Sequence, residues 1–155
     1  MDKCLYHIGQ LGGVDMNKDI GILLGLHGKK SGPLEIAKII EKGLSVSTID
    51  KFKEVIDMSD GQFSAILGVS TKTIGRFRKS RSSKLPVPVG DRLYRIANID
   101  TKAKEVFEND DLAQEWLITP QIGLNNQIPF DLLITEIGAR EVEDLLSRIE
   151  HGILT

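Results

Sequence analysis

A chain of 155 residues that is 41% hydrophobic and 27% charged, with a net charge of −2, can bury a real core and should form one domain or two small ones. Its single cysteine, Cys4, excludes an intrachain disulfide and any multi-cysteine metal site. No apolar run approaches the roughly 20 residues of a membrane span and the start lacks a secretory layout, so a soluble protein of a reducing cytoplasm, without membrane contact, is expected.

Residues 1–32 are glycine-rich and weakly patterned, and read as a partly ordered segment with a short strand or helix around Ile20 to Leu26. Gly25, Gly28 and Lys29 invite a phosphate-loop reading, but Leu23 stands where that loop needs glycine and Lys30 where it needs serine or threonine. Gly9, Gly12 and Gly13 do not match a dinucleotide fingerprint either. His7, His27 and His151 have no ligand spacing, so neither metal nor cofactor is expected.

Pro33 opens a helix with Leu34, Ile36, Ala37, Ile39 and Ile40 as apolar positions, stopped by Gly43. A second helix follows, with Ser47 and Asp50 as a capping box and Ile49, Phe52, Val55 and Ile56 as its buried stripe, placed to pack across the back of the next two helices.

Those two helices, Ser59 to Ser80, are joined by a tight corner. Ser59 and Gln62 form a capping box, Phe63, Ile66 and Leu67 share one face, Gly68 makes the turn, and Ser70 caps the second helix, which Ile74 and Phe77 hold down. Opposite Ile74 and Phe77 stand Lys72, Arg76 and Lys79 at i, i+4 and i+7, with Gly75 on a flank and Thr71 and Thr73 near the start. A cationic face with small and hydroxyl residues suits a helix lying in the major groove of DNA, with Lys72, Arg76 and Lys79 on phosphate or base edges and Ser70, Thr71 and Thr73 fixing register. Specific sites are usually read as two halves, so a homodimer on a two-fold DNA site is expected.

The segment RSSKLPVPVG, ending at Gly90, reads as a polar, proline-bearing hinge or a loop alongside DNA. Charge changes here: Gly61 to Gly90 holds six basic residues and no acid, whereas Asp91 to Thr155 holds thirteen acids against six bases, which implies partners of opposite electrostatic character.

A long helix is expected from Asp91 to Phe107, then a short one capped by Asn109 and carrying Leu112, Ala113, Trp116 and Leu117. A loop with Gly123, Asn125 and Asn126 follows. Pro129 starts another short helix with Phe130 and Leu133, and Thr135 to His151 forms the last, with Val142, Leu145, Leu146 and Ile149 inward and Gly152 as terminator. The expected fold is all-α: a DNA-binding module over 33–85 and a second helical domain over 91–155. Trp116, Leu133 and Val142 read as core. No nucleophile and base stand at suggestive spacing, so an enzyme is not expected.

The carboxy-terminal half, with Val106, Phe107, Ala113, Trp116, Leu117, Pro120, Leu124, Pro129, Leu132, Leu133, Thr135, Gly138, Val142, Leu146, Arg148, Ile149 and Gly152, closely resembles the toxin-binding domain of Xre/MbcA/ParS-type antitoxins. Together with GLSVSTIDKF and the helix-turn-helix, the resemblance covers roughly Gly25 to Leu154. Asn125 and Asn126 replace the family's usual glycine pair, and Gly75 and Phe77 replace bulkier polar residues. The resemblance implies an antitoxin paired with a RES-domain toxin that consumes NAD, held in a hetero-oligomer by a carboxy-terminal domain that obstructs the active-site entrance. It also implies autoregulation at the promoter. The expected toxin contacts are Leu124, Asn125, Asn126, Glu143, Asp144, Arg148, Glu150 and the terminal Thr155, with the acids of the last helix, Glu141 included, offered to a cationic pocket. A stand-alone repressor with a dimerising or ligand-sensing carboxy-terminal domain is the alternative.

Overall fold

In the computed structural model, which describes residues 32–80 and 84–153 together with Gly21 and Leu24, most helices end where local residue chemistry says they should. The expectations for residues 1–31 and for Thr155 lie outside the described residues, apart from Gly21, which is helical, and Leu24, which is buried.

The described residues form eight α-helices and no strand: α1 (Pro33–Glu41), α2 (Ser47–Val55), α3 (Asp60–Leu67), α4 (Thr71–Lys79), α5 (Val87–Phe107), α6 (Asp110–Ile118), α7 (Pro129–Leu132) and α8 (Glu136–Glu150). A 3-10 turn, Ile122–Leu124, lies between α6 and α7. Helix α1 begins at Pro33, whose missing N–H costs nothing there, and buries Ile36 and Ile40. Leu34, counted among its apolar positions, is 82% exposed.

Helix α2 buries Ile49 and Phe52 as expected, but its capping box does not form. Val46 is already helical, so Ser47 is the first residue inside the helix, and its N–H is taken by Ser45 Oγ at 3.3 Å. Asp50 is drawn away to Arg78 Nη2 on α4, 2.5 Å distant, while Lys53 pairs with Asp60 at the start of α3. These pairs lash α2 to the helix-turn-helix. Val55, expected in the buried stripe, is exposed.

The proline-bearing hinge is corrected in part. Helix α5 starts at Val87 rather than Asp91, because Pro88 falls in its first turn, where proline is tolerated, and Val89 and Gly90 are buried in it. Lys84 pairs in an isolated antiparallel bridge with Ser45, Leu85 N–H donates to Leu44 O at 2.7 Å, and Leu85 is buried.

Helix α5 is the spine. It packs against α1, α3, α6 and α8, and Leu93, Ile96, Ala97, Ile99 and Ala103 are all at most 1% exposed. Burial on so many sides explains its long apolar content. Two arginines three residues apart reach from it in both directions. Arg92 Nη1 donates to Leu67 O at 2.9 Å, at the end of α3, and Arg95 Nη1 donates to Leu133 O at 3.0 Å, just past α7. Both satisfy carbonyls that a helix end leaves unpaired, where the dipole also favours a cation. Helix α7 in turn packs against α3, so one core runs from Ile36 to Leu146.

Candidate functional site

The first candidate surface is built by the corner between α3 and α4. Ser59 Oγ accepts from Gln62 N–H at 3.2 Å and Gln62 Oε1 accepts from Ser59 N–H at 3.2 Å, so the expected capping box is present. Gly68 closes α3 at φ +66°, with its own N–H and that of Val69 returning to Ala65 O and Ser64 O. A Cβ at Gly68 would also lie 2.9 Å from Arg92 Nη1, so the glycine serves both turn and clamp. Phe63, Ile66, Leu67 and Ile74 are buried beneath, and Phe77 is half-buried.

Above them, Lys72, Arg76 and Lys79 are exposed on one face of α4, together with Thr71. Neither lysine has an acidic partner among the described residues. Ser70 and Thr73 are less available than their types suggest. Ser70 Oγ accepts from Thr73 N–H at 3.1 Å and lies 3.0 Å from Thr73 Oγ1, which in turn accepts from Arg76 Nη2 at 3.2 Å. The two hydroxyls therefore orient the helix start and the arginine. Arg78, one step off the face, is committed to Asp50. What remains is a rigidly seated helix presenting cations at one-turn spacing, a geometry that matches phosphate repeats or base edges in a groove.

The second surface lies on the carboxy-terminal helices. Asn109 Oδ1 caps α6 by accepting from Leu112 N–H at 2.9 Å, though Leu112 itself is 52% exposed. Trp116 is half-buried and packs on Phe107 with ring centroids 5.7 Å apart, while Leu133 and Val142 are fully buried. The loop after α6 is held by an isolated bridge between Gln121 and Gln127. Asn125 and Asn126 adopt φ of +55° and +59°, the left-handed region that asparagine tolerates better than other side-chain-bearing residues. That is why they can stand where the family pattern has glycines.

Helix α8 is capped by Thr135 Oγ1, which accepts from Gly138 N–H at 3.0 Å. Its two flanks differ. Glu136, Glu143 and Ser147 face α5: Arg95 Nη2 reaches Glu136 Oε2 at 3.2 Å, and Lys102 Nζ lies 2.6 Å from Ser147 Oγ and 3.9 Å from Glu143 Oε1. On the other flank, Ile137, Glu141, Asp144 and Arg148 follow at i, i+4, i+7 and i+11.

Of the expected partner contacts, Asn125, Asn126, Asp144 and Glu150 are exposed and Arg148 is half-buried. Leu124 is not available, being 5% exposed within the core. Glu143 is half-buried, with Lys102 Nζ of α5 3.9 Å from its carboxylate, so it is less free than Asp144 and Glu150. Periodicity missed Arg92, Arg95 and the exposed Ile137. A helical wheel would have found Ile137, which falls off the stripe of Val142 and Leu146. Among the described residues no cluster of three His, Cys, Asp or Glu could hold a metal ion, and no helix is long and apolar enough to cross a membrane.

Comparison with known proteins matches both parts of the chain. Residues 35–98 match the antitoxin Xre-like helix-turn-helix domain, and residues 102–152 match the antitoxin Xre/MbcA/ParS C-terminal toxin-binding domain. Among curated proteins, the chain is 32% identical to "Antitoxin Xre" of Photorhabdus laumondii over 81% of its length and 84% of the relative's. It is 30% identical to "Antitoxin Xre" of Yersinia enterocolitica over 75% and 78%, and 35% identical to that of Pseudomonas putida over 48% and 47%. The helix-turn-helix, the carboxy-terminal helices and these relatives together place the chain in the family of Xre-type antitoxins.

Proposed function

We propose that this antitoxin neutralises a RES-domain, NAD-consuming toxin by covering its active-site entrance with residues 91–155, and represses its own operon as a homodimer through residues 33–85. It acts in the cytoplasm and catalyses no reaction. The observation that carries the reading is the joining, through α3 and the spine helix α5, of an exposed cationic α4 to a domain of the toxin-binding type. Phosphate contact by Lys72, Arg76 and Lys79 supplies affinity, with Ser70, Thr71 and Thr73 setting the start of the helix against the groove. Asn125, Asn126, Asp144, Arg148, Glu150 and the terminal Thr155 remain the proposed contacts with the toxin, and Glu143, with Lys102 Nζ 3.9 Å away, is a weaker one.

The test has two arms. Co-expression with the product of the adjacent open reading frame should restore growth and yield a copurifying complex that no longer consumes NAD. Gel-shift titration on the chain's own promoter should show a palindromic site whose halves lie about 34 Å apart. Each phosphate-binding lysine removed, Lys72→Ala for instance, should lower the salt slope by about one. Failure of rescue would refute the toxin reading. Unchanged DNA affinity in the Lys72→Ala, Arg76→Ala double variant would refute the assignment of α4.

A further inference from the structure

The most exposed large apolar residues of the carboxy-terminal helices are Ile122, at 88%, and Ile137, at 76%. They are far apart in sequence, but the turn that carries Ile122 packs on α8, the helix that carries Ile137. Gly123 presses its backbone on Leu145 of α8, so closely that a Cβ there would lie 2.7 Å from Leu145 Cδ1. Leu145 borders the flank formed by Ile137, Glu141, Asp144 and Arg148, one and two turns from Glu141 and Ile137. The 3-10 turn carrying Ile122 therefore lies alongside that flank, and Ile134, at 49% exposure, extends it at the corner before α8. Single exposed isoleucines are ordinary, whereas a group of them rimmed by polar residues marks an interaction surface.

Two further observations say what the surface meets. The adjoining face of α8 is already occupied by α5 through Arg95 and Lys102. On the free flank, Glu141 and Asp144 are exposed and have no ion-pair or hydrogen-bond partner among the described residues. A second copy of the chain is a poor occupant, since a two-fold contact centred on Ile137 would bring those carboxylates together, and Arg148 is already engaged within its own chain. The complementary surface is an apolar patch bordered by lysines or arginines. The matched toxin-binding domain spans all these residues.

We propose that the toxin docks on this face, with Ile122 and Ile137 as anchors and Glu141 and Asp144 as its charged rim, rather than on the flank of Glu143. The proposal rests on the reading that the chain neutralises a toxin. The bridge between Gln121 and Gln127 holds Ile122 ready, so little ordering entropy opposes binding.

The test is biolayer interferometry with the full chain and the purified product of the neighbouring open reading frame. The Ile122→Ser, Ile137→Ser double variant should bind on the order of 100-fold more weakly, about tenfold for each buried anchor lost. Glu141→Lys, Asp144→Lys should slow association and reverse its salt dependence. Leu34→Ser, which removes an equally exposed leucine from α1, should change nothing. Circular dichroism and promoter binding should match the parent in all three. If the parent binds the toxin and the double variant binds as well as the parent, the docking face is wrong while the antitoxin reading stands. If the parent does not bind, the antitoxin reading falls and the proposal with it. A double variant that converts a free dimer to monomer without weakening toxin binding assigns the face to self-association and overturns the proposal.

Discussion

Asp100 shows how one side chain can oppose the fold that contains it. It is 1% exposed on α5, accepts from Gln114 Nε2 at 2.6 Å, and has Lys104 Nζ at 2.8 Å. Burial raises its pKa above the ordinary 3.8, Lys104 and Gln114 pull it back down only in part, and Asp110 adds a like charge. A raised folded pKa means that the native state holds the proton longer than the unfolded chain. Stability from this group is thus complete below 3.8 and is lost as pH rises through the folded pKa. Asp100→Asn keeps an acceptor for Gln114 and cannot ionise. Its stability relative to the parent should therefore be lowest at acid pH and improve as pH rises to 7, which urea denaturation at several pH values would measure. A difference independent of pH would contradict the assignment. Gly75 offers a second residue-level prediction. A Cβ there meets nothing within 4 Å, so Gly75→Ala should stabilise α4 by about 0.5–1 kcal/mol. If glycine serves close approach to DNA, the same change should weaken promoter binding in a gel shift.

Elements of this protein are held at their ends. Helix α3 is closed by Gly68 and Arg92, α7 by Arg95, and α8 opens on Thr135 and Gly138. Gly138 is the tightest point, because a Cβ there would lie 2.1 Å from the backbone oxygen of Leu132. No rotamer can relieve a clash with main chain, so Gly138→Ala should cost about 1–3 kcal/mol, read as a lower urea midpoint, and displace the corner that carries Ile134 and Ile137. The caps of α3, α4, α6 and α8 were legible from Ser59, Ser70, Asn109 and Thr135, since capping is decided by three or four neighbouring residues. The cap expected at Ser47 does not form. An equally good local signal lost there to the helical backbone of the adjacent Val46 and to the long-range pull of Arg78 on Asp50.

At the scale of the whole molecule, α5 makes the DNA-facing and carboxy-terminal helices share one core rather than hang on a linker. Unfolding should then be a single transition for the described helices. Trp116, the sole tryptophan, reports the carboxy-terminal end, whereas far-UV circular dichroism reports every helix. The two urea curves should coincide. Separate midpoints would show that the modules unfold independently, despite the contact of α3 with α7.

The sequence by itself determined the all-α class, the helix-turn-helix and its cationic face, because these follow from spacing within a few turns: Gly68 at the corner, Ile74 and Phe77 below, Lys72, Arg76 and Lys79 above. The family was also legible, since its pattern records positions such as Gly138 and Val142 that the fold requires. Only the tertiary structure decided which polar residues were free. Ser70 and Thr73 look open until the cap engages them, Glu143 looks unpartnered until Lys102 stands 3.9 Å from it, and Leu124 looks like a loop tip until the core closes over it. Periodicity describes one helix at a time, but availability depends on the neighbouring helix, and that neighbour is chosen by burial of the whole core.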